Sequence, residues 1–209
     1  LYWFVAGKFL LPEQYGIVST SVNLALMLSG ISLIGLHSAV WKLIPEYLTK
    51  GQDKKINSLI KFSLKFILLS NFIILVLLFF LSPIILPILK IPWSVLLISG
   101  LCLFTYSIVL QFRSIIYGFQ NMRKLAITDF AGQMTKIIIS LILMLLGFKF
   151  FGPLIGFLLG NIIIILLSLG SIPLRGGTLK IDKKFIVFHY ALPAFVTGVG
   201  WMIFTNGQY

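Results

Sequence analysis

Arg113, Lys136, Asp129, Gln133, His37, Asn23 and Tyr106 are polar or charged side chains set within runs that are otherwise apolar and long enough to cross a bilayer. A charge at mid-membrane costs about 2.5–3.5 kcal/mol on an insertion scale, so such groups turn toward a cavity or a partner rather than lipid. Asp129, Gln133, Lys136 and Ser140 fall at i, i+4, i+7 and i+11, one continuous helix face. That face reads as the wall of a hydrophilic cavity, with Lys136 meeting an anionic group. It reads equally as an interfacial face, since Asp129 and Lys136 lie in the first half of their helix and can reach water. Ser99, Tyr106, Arg113 and Tyr117 form a similar face, spaced by seven, seven and four. The Arg113 guanidinium can hold a phosphate bidentately or pair with Asp129 across the intervening loop. Asn23, Gly30 and His37 repeat at heptad spacing, and a lone histidine is more often hydrogen-bonded structure than ligand. Asn71 and Asn161 are single polar residues that read as interhelical hydrogen-bond partners.

The elements that position these groups are apolar helices. The clearest run, residues 17–41, exceeds the roughly 20 residues needed to cross about 30 Å of hydrocarbon. It is entered through a short polar break at Pro12-Glu13 and left through a segment carrying Lys42, Lys50, Lys54, Lys55, Lys61 and Lys65. In order, the chain predicts helix one over 1–11, ended by Pro12, helix two over 17–41 and helix three over 66–86. Helix four follows over 93–117, five over 125–148 and six over 151–171, and a seventh begins near Val187. The fold class is an all-α polytopic membrane bundle, six transmembrane helices plus the start of a seventh. The loop 42–65 is expected to hold a short amphipathic interfacial piece, because Ile56, Leu59, Ile60 and Ser63 keep helical spacing. Pro83, Pro87 and Pro92 crowd the outer end of helix three, where freed backbone groups can reach water. Gly152, Gly156 and Gly160 form two overlapping Gly-x-x-x-Gly steps, read as packing within the chain rather than dimerisation. Pro193 should kink helix seven, whose Thr197, Trp201, Thr205 and Gln208 share a face with it.

Composition agrees: 59% of residues are hydrophobic, 11% are charged and the mean hydropathy is +1.06. A soluble globular domain is excluded on those figures. The formal net charge of +12 would suggest nucleic acid in a soluble protein. Here the basic residues sit between apolar runs, so the charge describes topology and no nucleic-acid partner is expected. Placing the loops after helices two, four and six inside collects all but Lys8, Lys90 and Lys149 of the 17 Lys and Arg. By the positive-inside rule the N-terminus and these basic loops then face the cytoplasm. The single cysteine, Cys102, permits no intrachain disulfide. No basic leader or cleavage site precedes the first apolar run, so the expectation is a chain already inside its first helix.

The outer loops, 11–16, 87–92 and 148–152, are short and carry one carboxylate, Glu13. No His/Asp/Glu cluster has metal-ligand spacing, no Ser-His-Asp set can be assembled, and Gly176-Gly177 beside Arg175 reads as a turn. Nothing in these loops reads as catalytic, and neither metal nor cofactor is expected.

Two stretches carry a family resemblance. Leu10-Leu11-Pro12-Glu13-Gln14-Tyr15-Gly16, a long apolar helix, then Ile44-Pro45-Glu46-Tyr47-Leu48 and a lysine-rich loop resemble the polysaccharide-biosynthesis flippases. These belong to the multidrug/oligosaccharidyl-lipid/polysaccharide exporter superfamily. Tyr117-Gly118-Phe119-Gln120-Asn121-Met122-Arg123-Lys124 is similar to the family's Gln-Gly-x-x-Arg loop, although here the glycine precedes Gln120. The resemblance implies a two-lobe transporter of the cytoplasmic membrane: residues 1–186 as the N-terminal six-helix lobe, with helix one truncated, and 187–209 as the start of the second. It implies alternating access for a polyprenyl- or dolichyl-pyrophosphate-linked oligosaccharide, with membrane lipids as partners and a coupling cation left open. Such a substrate could keep its lipid tail in the bilayer while sugar and pyrophosphate cross a polar, cationic interior. On the polar-face argument, Arg113, Lys136 and His37 are then candidates for the pyrophosphate, and Gln133, Asn23 and Tyr106 for sugar hydroxyls. Two other readings stand beside this one. A cation-coupled drug or metabolite exporter would share the fold but wants cavity carboxylates, of which Asp129 is the one firm intramembrane example. A membrane-embedded glycan enzyme is disfavoured by the short outer loops.

Overall fold

Trp93, at one end of the most deeply packed helix, and Tyr117, at the other, mark out the membrane. They bound α6 (Trp93–Gly118), and the 24 steps between them span about 36 Å at 1.5 Å per residue. Trp and Tyr concentrate at the two interfaces of a bilayer whose hydrocarbon core is about 30 Å thick. At one rim Trp93 packs edge-on against Phe79, with ring centroids 5.8 Å apart. At the other, Tyr117 meets Trp41 at 4.4 Å. All four rings are exposed on their outer sides.

A computed structural model describes residues 2–170, 177, 179 and 181–198. Its remaining helices are α1 (Tyr2–Phe9), α2 (Pro12–Leu33), α3 (Leu36–Thr49), α4 (Asp53–Phe80), α5 (Ser82–Leu89), α7 (Met122–Leu145), α8 (Phe151–Leu169) and α9 (Lys183–Ile186). A π-turn, Val187–Ala191, leads from α9 into further helix over 192–198. No strand occurs among the described residues. Among the described residues five helices are long and apolar enough to cross a membrane: α2, α4, α6, α7 and α8. The chain is a polytopic helical membrane protein. Its outward side chains agree, since Leu69, Phe72, Phe80, Phe130 and Leu145 are exposed apolar groups, as a spanning bundle presents to lipid.

Three expectations need correction. The stretch 17–41 is not one helix: it breaks at Ile34 and Gly35, both left-handed with φ of 43° and 70°. A Cβ on Gly35 would collide with the Ala191 carbonyl oxygen and sit 2.7 Å from the Phe195 backbone nitrogen. The break is where the 187–198 segment presses its backbone against the bundle. Pro12-Glu13 is not a turn but the first turn of α2, with Pro12 at a position where its missing N–H costs nothing. Nor is 42–65 a loop. α3 runs on to Thr49, and α4 begins after a turn in which Gly51 takes φ +63°. Ile56, Leu59, Ile60 and Ser63 do share one face, but it is the buried inner face of α4 rather than a separate interfacial piece. With 28 residues, α4 is about 42 Å long, so its first turns stand beyond the hydrocarbon.

α6 packs against α2, α3, α4 and α8. One apolar core gathers Val18, Val22, Val95, Leu103, Leu154 and Phe157. A second, toward the basic end, gathers Leu36, Val40, Ile44, Leu59, Ile60 and Ile115. Polar ties cross between helices. Asn71 on α4 accepts from Ser32 of α2 at 2.5 Å and donates to Ser107 of α6 at 2.6 Å. Asn161 on α8 donates to Thr105 of α6 at 3.3 Å. Both asparagines are thus the interhelical partners that the sequence suggested. Asn71→Leu should destabilise the bundle by about 1–2 kcal/mol, the upper end for an intramembrane hydrogen bond, because it severs a three-helix node. Unfolding titrated with denaturing detergent reads this directly, and an unchanged midpoint would show that the node contributes nothing.

Candidate functional site

The α7–α8 pair holds Asp129, Gln133 and Lys136, and glycine makes the pair possible. Gly156 and Gly160 of α8 lie so close to α7 that a Cβ on Gly156 would sit 2.8 Å from the Lys136 carbonyl oxygen. One on Gly160 would sit 2.8 Å from the Gly132 carbonyl oxygen and 2.9 Å from the Lys136 Cβ. The Gly-x-x-x-Gly steps therefore serve packing within the chain, as read from the sequence.

This close crossing sets the environment of Lys136. Its Nζ lies over two aromatic faces, 4.0 Å from the centroid of Tyr2 on α1 and 4.1 Å from that of Phe157 on α8. The Tyr2 hydroxyl donates to the Pro153 carbonyl at 3.0 Å, which fixes its ring beside α8. A cation is attracted to the negative face of each ring, by about 0.5–2 kcal/mol depending on how dry the site is. Among the described residues no carboxylate pairs with Lys136. Its charge is met, among the described residues, by these two π-faces.

Two helical turns back along α7, Asp129 meets Arg113 of α6. Arg113 Nε donates to Asp129 Oδ1 at 2.8 Å, with both side chains about a third exposed or less. This is the pairing across the intervening loop offered by the sequence. It occupies one edge of the guanidinium, and among the described residues no other partner meets its remaining donors. Tyr106 joins the same cluster through Phe157, ring to ring at 5.9 Å. Gln133, on α7 between Asp129 and Lys136, stands exposed.

Two predicted groups lie elsewhere. Asn23 is exposed on α2. His37 sits at the α2–α3 break, lining a cavity of about 190 Å³ with Met27, Ile31 and Phe195. Its Nε2 is 3.3 Å from Ser38 Oγ, and its buried Nδ1 has no partner among the described residues. Arg113, Asp129, Lys136 and Tyr106 are thus drawn together, whereas His37 belongs to the α2–α3 break. Trp201, Thr205 and Gln208, assigned to a helix-seven face, lie outside the described residues, as does Arg175. Tyr2 and Phe157 were missed because no local pattern announces a ring that meets a lysine from another helix.

The two stretches that carried the family resemblance meet in space. A Cβ on Gly118 would lie 2.9 Å from Ile44 Cβ, so the Ile44–Leu48 stretch closes directly onto the α6 end where the Tyr117–Lys124 stretch begins. The polysaccharide biosynthesis protein model matches residues 1–208. The chain belongs to that family. No curated protein and no solved structure matches it. Together with its apolar helices, membership makes the chain a multi-pass membrane protein of polysaccharide biosynthesis. In this member of the family the Leu10–Gly16 stretch is a helix start, on which Tyr15 packs edge-on against Trp3 with centroids 5.8 Å apart. Glu46 of the second stretch is bound to Lys50 at 2.6 Å, and that neighbouring ammonium holds its carboxyl below the usual range. Among the described residues no three His, Cys, Asp or Glu side chains group as a metal site.

Proposed function

We propose that the chain is the N-terminal lobe, 1–186 with 187–209 leading into a second lobe, of a flippase of the cytoplasmic membrane. Its N-terminus and basic loops face the cytoplasm. Its cargo is a polyprenyl-pyrophosphate-linked oligosaccharide, moved by alternating access without bond-making chemistry. The observation that carries this reading is Lys136, a cation inside a spanning helix with rings but no carboxylate around it. Such a charge is costly in lipid and is kept where an anion is to be met. Arg113, one edge of which Asp129 leaves open, supplies a second contact to the pyrophosphate. Gln133 and Tyr106 are the candidates for sugar hydroxyls. The rival cation-coupled exporter needs a titrating carboxylate, and the intramembrane Asp129 is already held by Arg113.

The test is transport by the full-length protein in liposomes, with a fluorescent polyprenyl-pyrophosphate oligosaccharide in one arm and cationic drugs under a proton or sodium gradient in the other. Oligosaccharide movement that falls at least tenfold in Arg113→Ala, at equal expression, is the expected result; a charged hydrogen bond contributes about 1.5–3 kcal/mol. Drug movement with no oligosaccharide movement would sink the reading.

A further inference from the structure

A groove lies away from the Arg113–Lys136 cluster, at the basic end of the bundle. It has a volume of about 690 Å³ and runs between the first half of α4 and a wall formed by Leu179 and residues 181–184. Lys61 and Lys65 line one wall, and Lys183 and Lys184 the other. The walls are pinned together by the Leu179 N–H, which donates to Ser58 Oγ at 2.9 Å. Asp182 is the one carboxylate among the described lining residues. It is engaged at the start of α9, where its Oδ1 accepts from the Phe185 N–H at 3.0 Å. None of the four lysines has an ion-pair partner among the described residues. Lys183 Nζ reaches only the Phe62 ring, 5.6 Å from its centroid. Four lysines thus line one concave space whose described lining holds one carboxylate, so the groove carries a net positive charge.

The position of the groove on α4 says what fills it. Lys61, Lys65, Leu68, Leu69, Phe72 and Val76 form one outward stripe at i, i+4, i+7, i+8, i+11 and i+15. The stripe is cationic up to Lys65 and wholly apolar from Leu68, and these apolar groups are exposed, Leu69 by 61% and Phe72 by 64%. A stripe that changes from ammonium to hydrocarbon within one helical turn marks the level at which lipid headgroups end and acyl chains begin. The groove opens at that level onto a face that no other described helix covers.

We propose that this groove binds the phosphate headgroup of an anionic glycerophospholipid, whose acyl chains lie along Leu68, Leu69 and Phe72. The inference rests on the chain spanning a membrane and is independent of the flippase reading. Juxtamembrane lysines prefer anionic lipid by about fivefold each, and four that converge should hold one lipid through purification.

The experiment uses the full-length protein in nanodiscs of equal parts phosphatidylglycerol and phosphatidylcholine, ejected into a native mass spectrometer. The wild type should retain phosphatidylglycerol in preference to phosphatidylcholine. K61Q/K65Q/K183Q/K184Q should lower that preference by about tenfold or more, the screened remainder of four such contributions. The matching Lys→Arg variant should keep it. Lysines exposed on the surface leave the core untouched, and an unchanged melting temperature checks this. A control with the same charge loss outside the groove, K54Q/K55Q/R123Q/K124Q, should behave as wild type. Equal loss in the control would reduce the effect to general surface charge and overturn the site. Retention by the groove variant would overturn it as well. A third arm adds inorganic pyrophosphate: full displacement of the lipid at micromolar concentration would assign the groove to a soluble phosphate instead.

Discussion

Lys136→Met should lower oligosaccharide translocation by about 10- to 100-fold while leaving the lobe folded. The fold-change follows from the contact being removed. A hydrogen bond to a charged partner contributes about 1.5–3 kcal/mol, and each 1.4 kcal/mol is tenfold. The stability half follows from opposing terms. The ammonium over Tyr2 and Phe157 gains about 0.5–2 kcal/mol at each ring, and a charge within the span costs about 2.5–3.5 kcal/mol. These nearly cancel, so an uncharged side chain of similar length and flexibility fills the slot at little net cost. Lys136→Arg keeps the charge and the stacking and should recover part of the rate. Initial translocation rates in proteoliposomes, taken alongside melting temperatures, separate the two roles. A Met variant that translocates at the wild-type rate would make Lys136 a packing residue. A Met variant that melts early would show that the rings and the ammonium hold the lobe together.

How this site could be anticipated differs from residue to residue. Arg113 and Asp129 flank the short α6–α7 turn, so antiparallel helices bring them level and their pairing follows from spacing and charge. The polar face of α7 was legible for the same reason: a 3.6-residue period in one helix needs no knowledge of its neighbours. The rings around Lys136 needed such knowledge. Tyr2 and Phe157 reach it from α1 and α8, across 134 and 21 positions of chain. Only the glycines of α8 hinted that something would approach α7 closely.

The helix ends and breaks were the hardest part to anticipate. Hydropathy reports where lipid ends, not where a helix ends, so the 42–65 segment looked like a loop although α3 and α4 fill nearly all of it. Ile34 and Gly35 sit in an unbroken apolar run, and the helix parts there because a distant backbone, Ala191 to Phe195, occupies the space a Cβ would need. That cause is tertiary. Asn71 and Asn161, by contrast, were anticipated by chemistry alone, since an amide in a spanning helix must find a partner on another.

Gly156→Ala and Gly16→Ala should change stability in opposite directions. A glycine in a helix interior gives way to alanine with a gain of about 0.5–1 kcal/mol where there is room. Gly16 has room: nothing lies within 4 Å of where its Cβ would stand. At Gly156 the new methyl meets Ser140 Oγ and, at 2.8 Å and 2.9 Å, the backbone oxygen of Lys136 and nitrogen of Ser140. Backbone within a helix cannot step aside as a side-chain tip can, so the helices must part, at about 1–3 kcal/mol for one overpacked methyl. Gly156→Leu asks for several more carbons in the same gap and should prevent the α7–α8 pair from closing. Denaturing-detergent titration of each variant measures the sign. If Gly156→Ala proves as stable as wild type, the two helices do not cross so closely. Phe157 rides on the same turn of α8, so parting the helices also draws its ring from the Lys136 ammonium. The folded fraction of Gly156→Ala should therefore translocate more slowly than wild type, whereas Gly16→Ala, which leaves that crossing intact, should keep the wild-type rate.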